Sequence, residues 1–216
     1  MAEPFPGASQ DVFVSASVGI SMYPDDAKSA DDLTKHADAA VHSAKTQGRN
    51  NYQFFTQALN SEVQERMVLE TGLRLALKRN EMYLLYQPKI DLASREVIGA
   101  EALIRWRHPE LGLVPPSRFV PVAEESGMVG EIGEWVLRAA CLQIRQWQDQ
   151  GLMPQIAVNV SARQFQQYDV SQLVSTVIRE AGISPQSLEL ELTESAVMQD
   201  AEASIVTVEK LKQLGV

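Results

Sequence analysis

The chain has 216 residues, 45% hydrophobic and 22% charged, the balance of a soluble globular protein of one or two domains and not of a disordered tail. Its formal net charge of −9, from 19 basic and 28 acidic residues, argues against a surface for bulk nucleic acid or anionic lipid. A small anionic ligand stays open, because a bound metal can invert the local field. The single cysteine, Cys141, cannot form an internal disulfide and suits a reducing compartment, no apolar run reaches the ~20 residues of a membrane helix, and Met1 to Gln10 lacks the basic and apolar regions of a signal peptide.

Asp11 to Ile20 is Val-rich with partial period-2 alternation, which predicts a strand. Tyr23-Pro24-Asp25-Asp26 breaks it. Ala30 to Gln47 carries Leu33, Ala37, Ala40, Val41 and Ala44 at helical spacing, with Gly48 as an αL cap. Tyr52 to Phe55 is a short aromatic strand. Ser61 to Asn80 reads as a connecting helix, with Ser61 and Gln64 as a capping box and Leu69, Leu73 and Leu77 as a stripe facing a core. Three divisions follow: 1–57, a linking helix at 58–80, and a second region at 81–216.

In the second region, strands are expected at Met82 to Ile90, Val97 to Arg105, Gln155 to Ser161 and Leu188 to Thr193. Helices are expected at Arg118 to Glu125, Gly130 to Gln150, Ser171 to Glu180 and Ala201 to Leu214, the last capped by Gly215. Alternating strands and helices imply parallel pairing with right-handed crossovers. An open doubly wound sheet and a (β/α)8 barrel both fit. A barrel needs about 250 residues, and the region from Glu81 to Val216 is little more than half that.

Side chains alternate across a strand. Glu101, Leu103 and Arg105 therefore share one face of their strand, Asn159 and Ser161 one face of theirs, and Glu189, Glu191 and Thr193 oppose Leu188, Leu190 and Leu192. Parallel strands covered on both faces read as continuous apolar runs, and these do not. A buried carboxylate needs a pair or a metal. Glu101, Asn159 and Glu191 offer the oxygen ligands that hard divalent cations take, at the strand ends where barrel active sites form. Arg105 could grip an anion. The competing readings are a Glu101–Arg105 ion pair, Asn159 capping a strand end, Glu189 as a solvated edge charge, and a hydrogen-bonded polar interior. Arg105, Arg107 and His108 form a basic cluster more typical of a solvated turn. His36 and His42, six apart, cannot share one helix face as a metal pair.

The run YQPKIDLASREVIGAEALIRWR (Tyr86 to Arg107), followed in order by FVPVAEESG (Phe119 to Gly127), NVSARQF (Asn159 to Phe165) and ELTES (Glu191 to Ser195), resembles the EAL domain, the cyclic di-GMP phosphodiesterase family. The resemblance implies a modified (β/α)8 barrel, here a partial one. It implies two-metal hydrolysis of one phosphodiester bond of cyclic di-GMP to give pGpG, with Mg²⁺ or Mn²⁺; Ca²⁺ would bind without supporting turnover. By motif, Glu101, Asn159 and Glu191 resemble metal ligands, and Glu101, Glu191 and Glu194 the catalytic carboxylates, Glu194 supporting a loop near the metals. Gln87, Leu103 and Arg105 resemble substrate contacts. Cyclic di-GMP is the implied partner, a homodimer through the EAL domain is allowed, and a cytoplasmic site follows, with any membrane anchor lying upstream.

SASVGISMYP (Ser15 to Pro24) with ADAAVHSAKTQGRNNYQFF (Ala37 to Phe55) resembles the C-terminal tail of a GGDEF, or diguanylate cyclase, domain. Lys45 and Arg49 match phosphate-contacting positions there but read here as a solvated helix end. The GGDEF loop itself is missing, so no cyclase activity is expected. The EAL pattern also continues past Leu214-Gly215-Val216 into an Asp-Asp pair, a lysine, a further glutamate and a glutamine. The expectation is little or no hydrolysis by these residues alone, with a non-catalytic binding module or a vestigial product as alternatives.

Overall fold

A computed structural model of the chain describes residues 14–152, 155–192 and 201–216, with the side chains of 62 and 201–203 excepted. The chain divides into two compact units, Met1–Val68 and Leu69–Val216.

In the first unit, β1 (Val18–Ile20) pairs in parallel with β2 (Tyr52–Phe54), and α1 (Ala30–Thr46) connects them. Ser29 caps α1: its hydroxyl accepts from the Asp32 amide, and Asp31 and Asp32 sit in the first turn where the helix dipole favours negative charge. Gly48 follows the helix end with φ 103°, the backbone conformation a glycine adopts without strain. Ala39, Ala40 and Phe55 form a small core, and His36 stacks on Phe55 with 3.8 Å between ring centres. Lys45 and Arg49 are exposed.

The expected strand from Asp11 contracts to Val18–Ile20, because only three residues face the partner strand; residues 11–13 lie outside those described. The capping box at Ser61 is also corrected. Helix α2 (Gln57–Ala76) begins one turn earlier, Thr56 Oγ1 accepts from the Leu59 amide, and the Ser61 hydroxyl donates back to the Gln57 carbonyl inside the helix. The division between the two units falls within α2.

The second unit is built on a five-stranded sheet. Its strands run β3 (Met82–Ile90), β4 (Val97–His108), β6 (Gln155–Val160) and β7 (Leu188–Leu192) in spatial order, with β5 (Gly112–Val114) beside the end of β4. Pairs β4–β6 and β6–β7 are parallel, as the crossovers require. Pair β3–β4 is antiparallel, against the all-parallel expectation, since only a tight turn joins them. Asp91 builds that turn by accepting the Ala93 and Ser94 amides on Oδ1, which hold its carboxyl below the usual range. The sheet is open, with β3 and β7 as its outer strands.

Helices α3 (Pro116–Glu125), α4 (Val129–Asp149), α5 (Ala162–Gln167), α6 (Val170–Ala181) and α7 (Ala201–Leu214) complete the unit. β5 and the short α5 are absent from the sequence reading; both are too brief to show a period. The core gathers Trp106, Phe119, Leu137, Ile144, Ile156 and Val174, all essentially without solvent contact. Leu69 and Leu73 of α2 join it, as their spacing predicts, and Leu77 packs against it half-buried. At Gly72 the helix comes so close that an added Cβ would stand 2.9 Å from His108 Nε2. The fold is the mixed α/β arrangement expected from the alternating elements.

Candidate functional site

The burial of β4, β6 and β7 follows the two-residue alternation. Ala100, Ala102 and Trp106 of β4, Ile156, Val158 and Val160 of β6, and Leu188 of β7 are buried on the apolar face. Glu101, Leu103 and Arg105 are half-buried, as are Glu189 and Glu191, and Asn159 is exposed. Register aligns these positions: Gln87 stands opposite Glu101, Glu101 opposite Ala157, and Asn159 opposite Glu191. The small Ala157 between Glu101 and Glu189 leaves room on that face.

Two candidate residues are bonded directly. Asn159 Nδ2 donates to Glu101 Oε1 at 2.6 Å. The Glu101–Arg105 ion pair, one of the competing readings, does not form; Arg105 Nη1 donates instead to the carbonyl of Ile104 at 2.8 Å. Glu191 is drawn to a residue that the sequence reading passed over. Lys89 Nζ, on β3, lies 2.7 Å from Glu191 Oε1 and 3.4 Å from Glu189 Oε1. The hydrogen bond to Glu191 holds the ammonium above the usual lysine range, against partial desolvation and with the charges of Glu189 and Glu191 in support. Period-2 alternation could have found Lys89, since it shares a strand face with Gln87. Its reach across to β7 was not readable, because that needs the curl of the sheet. Glu194 lies outside the described residues.

A cavity of about 470 Å³ opens beside these strand ends, lined by Leu103, Arg105, Asn159, Glu124, Ser161 and Gln164 among others. That is the size of a small-molecule site. Its far wall is fastened by α5: Ser161 caps the helix by accepting the Gln164 amide, Arg163 Nη1 donates to the Glu124 carbonyl at 2.6 Å, and the Tyr168 hydroxyl donates to the Gly127 carbonyl. The rest of the basic cluster is structural. His108 is buried and accepts the Glu110 and Leu111 amides on Nδ1, and the Arg107 guanidinium lies over the Tyr83 ring.

Among the described residues, no group of three or more His, Cys, Asp or Glu side chains is gathered as a metal cage. The donor set instead mixes two carboxylates with a carboxamide: Glu101 and Asn159 in contact, and Glu191 on the next strand opposite Asn159. Oxygen donors of this kind on one sheet face fit a hard divalent cation with open coordination positions.

These elements and this polar strand-end face define an α/β domain of a known type. The EAL domain profile matches residues 70–216, and the diguanylate cyclase GGDEF domain profile matches residues 1–51. The chain belongs to the EAL family. It is 43% identical, over its full length, to the bifunctional diguanylate cyclase/cyclic di-GMP phosphodiesterase MucR of Pseudomonas aeruginosa, of which it covers 32%. It is 37% identical to the cyclic di-GMP phosphodiesterase PdeR of Escherichia coli, with 95% of this chain and 31% of that protein aligned. Among solved structures, the MucR phosphodiesterase in complex with c-di-GMP superposes with a TM-score of 0.67 at 45% identity, over 69% of this chain and 61% of that one. The chain thus spans between a quarter and a third of the length of the curated relatives it matches.

Proposed function

We propose that the chain acts in cyclic di-GMP signalling, its EAL portion binding the dinucleotide at the ends of β4, β6 and β7 and belonging to a metal-dependent phosphodiesterase site. The observation that carries this reading is the bonded Asn159–Glu101 pair, with Glu191 on the adjoining strand and Arg105, like Asn159, lining the cavity. Similarity along 95–100% of this chain to a part of proteins named as cyclic di-GMP phosphodiesterases supports it.

Glu101, Asn159 and Glu191 are the residues that would hold Mg²⁺ or Mn²⁺. Such an ion polarises a phosphodiester and lowers the pKa of water. The chain's own residues supply binding and orientation. Asn159 fixes the Glu101 carboxylate by donating from its amide nitrogen to Oε1, which holds the orientation of both side chains. Arg105 contributes a permanent positive charge suited to a phosphate; Leu103, two residues before it on the same face, and Gln87, opposite Glu101, are assigned as further substrate contacts. Glu194 is assigned a loop-supporting role. The same reading divides the chain at 1–57, 58–80 and 81–216 and assigns it to the cytoplasm. No described helix is long and apolar enough to cross a membrane.

The test is titration calorimetry with cyclic di-GMP in the presence of Ca²⁺, followed by assay for pGpG with Mg²⁺ or Mn²⁺. Binding that Arg105→Ala removes supports the reading. A chain that retains its fold and takes no cyclic di-GMP with any of these ions overturns it.

A further inference from the structure

We propose that Lys89 is a positioning residue for Glu191, fixing its carboxylate from the β3 side of the sheet so that the ligand is preset for a divalent ion. The inference rests on the reading of Glu191 as a metal ligand. Three observations carry it. Lys89 and Glu191 come from the two outer strands of the sheet, yet Nζ and Oε1 lie 2.7 Å apart, a charge-assisted hydrogen bond. Glu189, two residues earlier on the same face, takes a longer contact of 3.4 Å to the same ammonium. Register places Lys89 opposite Gly99, two residues before Glu101 on β4, so the ammonium approaches from the side of the sheet away from the C-terminal strand ends.

The electrostatic reason is direct. Glu101, Glu189 and Glu191 share one face, and carboxylates gathered without compensation repel and swing apart. One ammonium between Glu189 and Glu191 offsets that repulsion. A carboxylate anchored through one oxygen has fewer orientations to lose when the other meets an ion. Hydrogen bonds to metal-bound carboxylates typically matter 10–100-fold in metal affinity. The competing effect is that a cation beside a ligand weakens its pull on a second cation. Orientation prevails here because both side chains of the pair are about one-third exposed, where solvent screens the charge but not the geometry.

The experiment measures Mn²⁺ affinity by calorimetry for the wild-type chain, Lys89→Met, Lys89→Arg and Glu191→Gln, with circular dichroism to verify folding. The expected result is Mn²⁺ binding about tenfold weaker in Lys89→Met, restored to within about threefold by Lys89→Arg, and lost in Glu191→Gln. If Glu191→Gln loses Mn²⁺ while Lys89→Met binds it as tightly as wild type, or more tightly, the positioning role is overturned and the metal reading stands. If the folded wild type takes up no Mn²⁺, the metal reading falls and the positioning role with it. Should Lys89→Met not fold, Lys89→Gln replaces it, with the same outcomes.

Discussion

Asn159 Nδ2 and Glu101 Oε1 meet at 2.6 Å across neighbouring parallel strands. An amide that donates through nitrogen turns its own oxygen elsewhere, so a single hydrogen bond orients two oxygen donors at once. Asn159→Ala removes the donor as well as the oxygen. Its expected effect is a loss of Mn²⁺ affinity of about 10–100-fold with an unchanged melting temperature, since Asn159 is exposed. Calorimetry beside a thermal scan checks both halves.

Arg105 should act on the ligand more than on the fold. Its guanidinium donates to the adjacent Ile104 carbonyl, so truncation releases little tertiary structure. Arg105→Ala is expected to weaken cyclic di-GMP binding by about 2 kcal/mol, roughly thirtyfold in Kd. Arg105→Lys should recover only part of this, because an ammonium cannot make the two-pronged contact to a phosphate. Equal Kd values for wild type and Arg105→Ala would exclude the residue from the site.

Gly99 has a packing requirement of its own. A Cβ there would stand 2.4 Å from the Gln155 carbonyl oxygen, a backbone atom of the neighbouring strand. No rotamer change relieves that contact, so β4 and β6 must part. Gly99→Ala is expected to destabilise by about 1–3 kcal/mol, read as a lower urea midpoint. A variant as stable as wild type would show that the strands yield freely.

Trp106 tests the core on which the strand ends rest. It is fully buried, packs edge-on against Phe119 and donates from Nε1 to Glu81 Oε2 at 3.0 Å. Trp106→Ala should cost about 3–5 kcal/mol. Trp106→Phe keeps most of the apolar contact but leaves the Glu81 carboxylate without its indole donor, and should fall between the two in a urea titration.

Acid should loosen α6 through its cap. Asp169 accepts from the Ser171 hydroxyl and the Gln172 amide, which together hold its carboxyl below the usual range. A depressed folded pKa means the stabilisation is present above the unfolded Asp value near 3.9 and is lost as pH falls through the lower folded value. Asp169→Ala should cost about 1 kcal/mol at neutral pH. Its melting temperature should also decline less than that of wild type between about pH 4 and pH 2. Parallel pH profiles would remove Asp169 as a contributor.

Much of this was legible in the residues themselves. The polar positions of β4, β6 and β7 stood out because they interrupt strands that should be apolar, and the period of two assigned Glu101, Asn159 and Glu191 to their face. The stripe of Leu69 and Leu73 correctly foretold burial of the second half of α2. Element ends were less legible. Ser61 carries the right residue type for a cap, yet Thr56, one turn earlier, takes the position, since local capping chemistry is available at both and packing chooses between them.

Local periodicity and side-chain chemistry thus determined the element types, the face each functional group occupies and the oxygen-rich character of the site. They act over a few residues and need no knowledge of what lies across the sheet. Tertiary structure alone decided the partners: that Glu101 bonds Asn159 and not Arg105, that β3 runs antiparallel to β4, and that Lys89 reaches Glu191 about a hundred residues away. Those outcomes depend on strand order and sheet curvature, which arise from burying helices and strands against one another, and no stretch of sequence encodes them by itself.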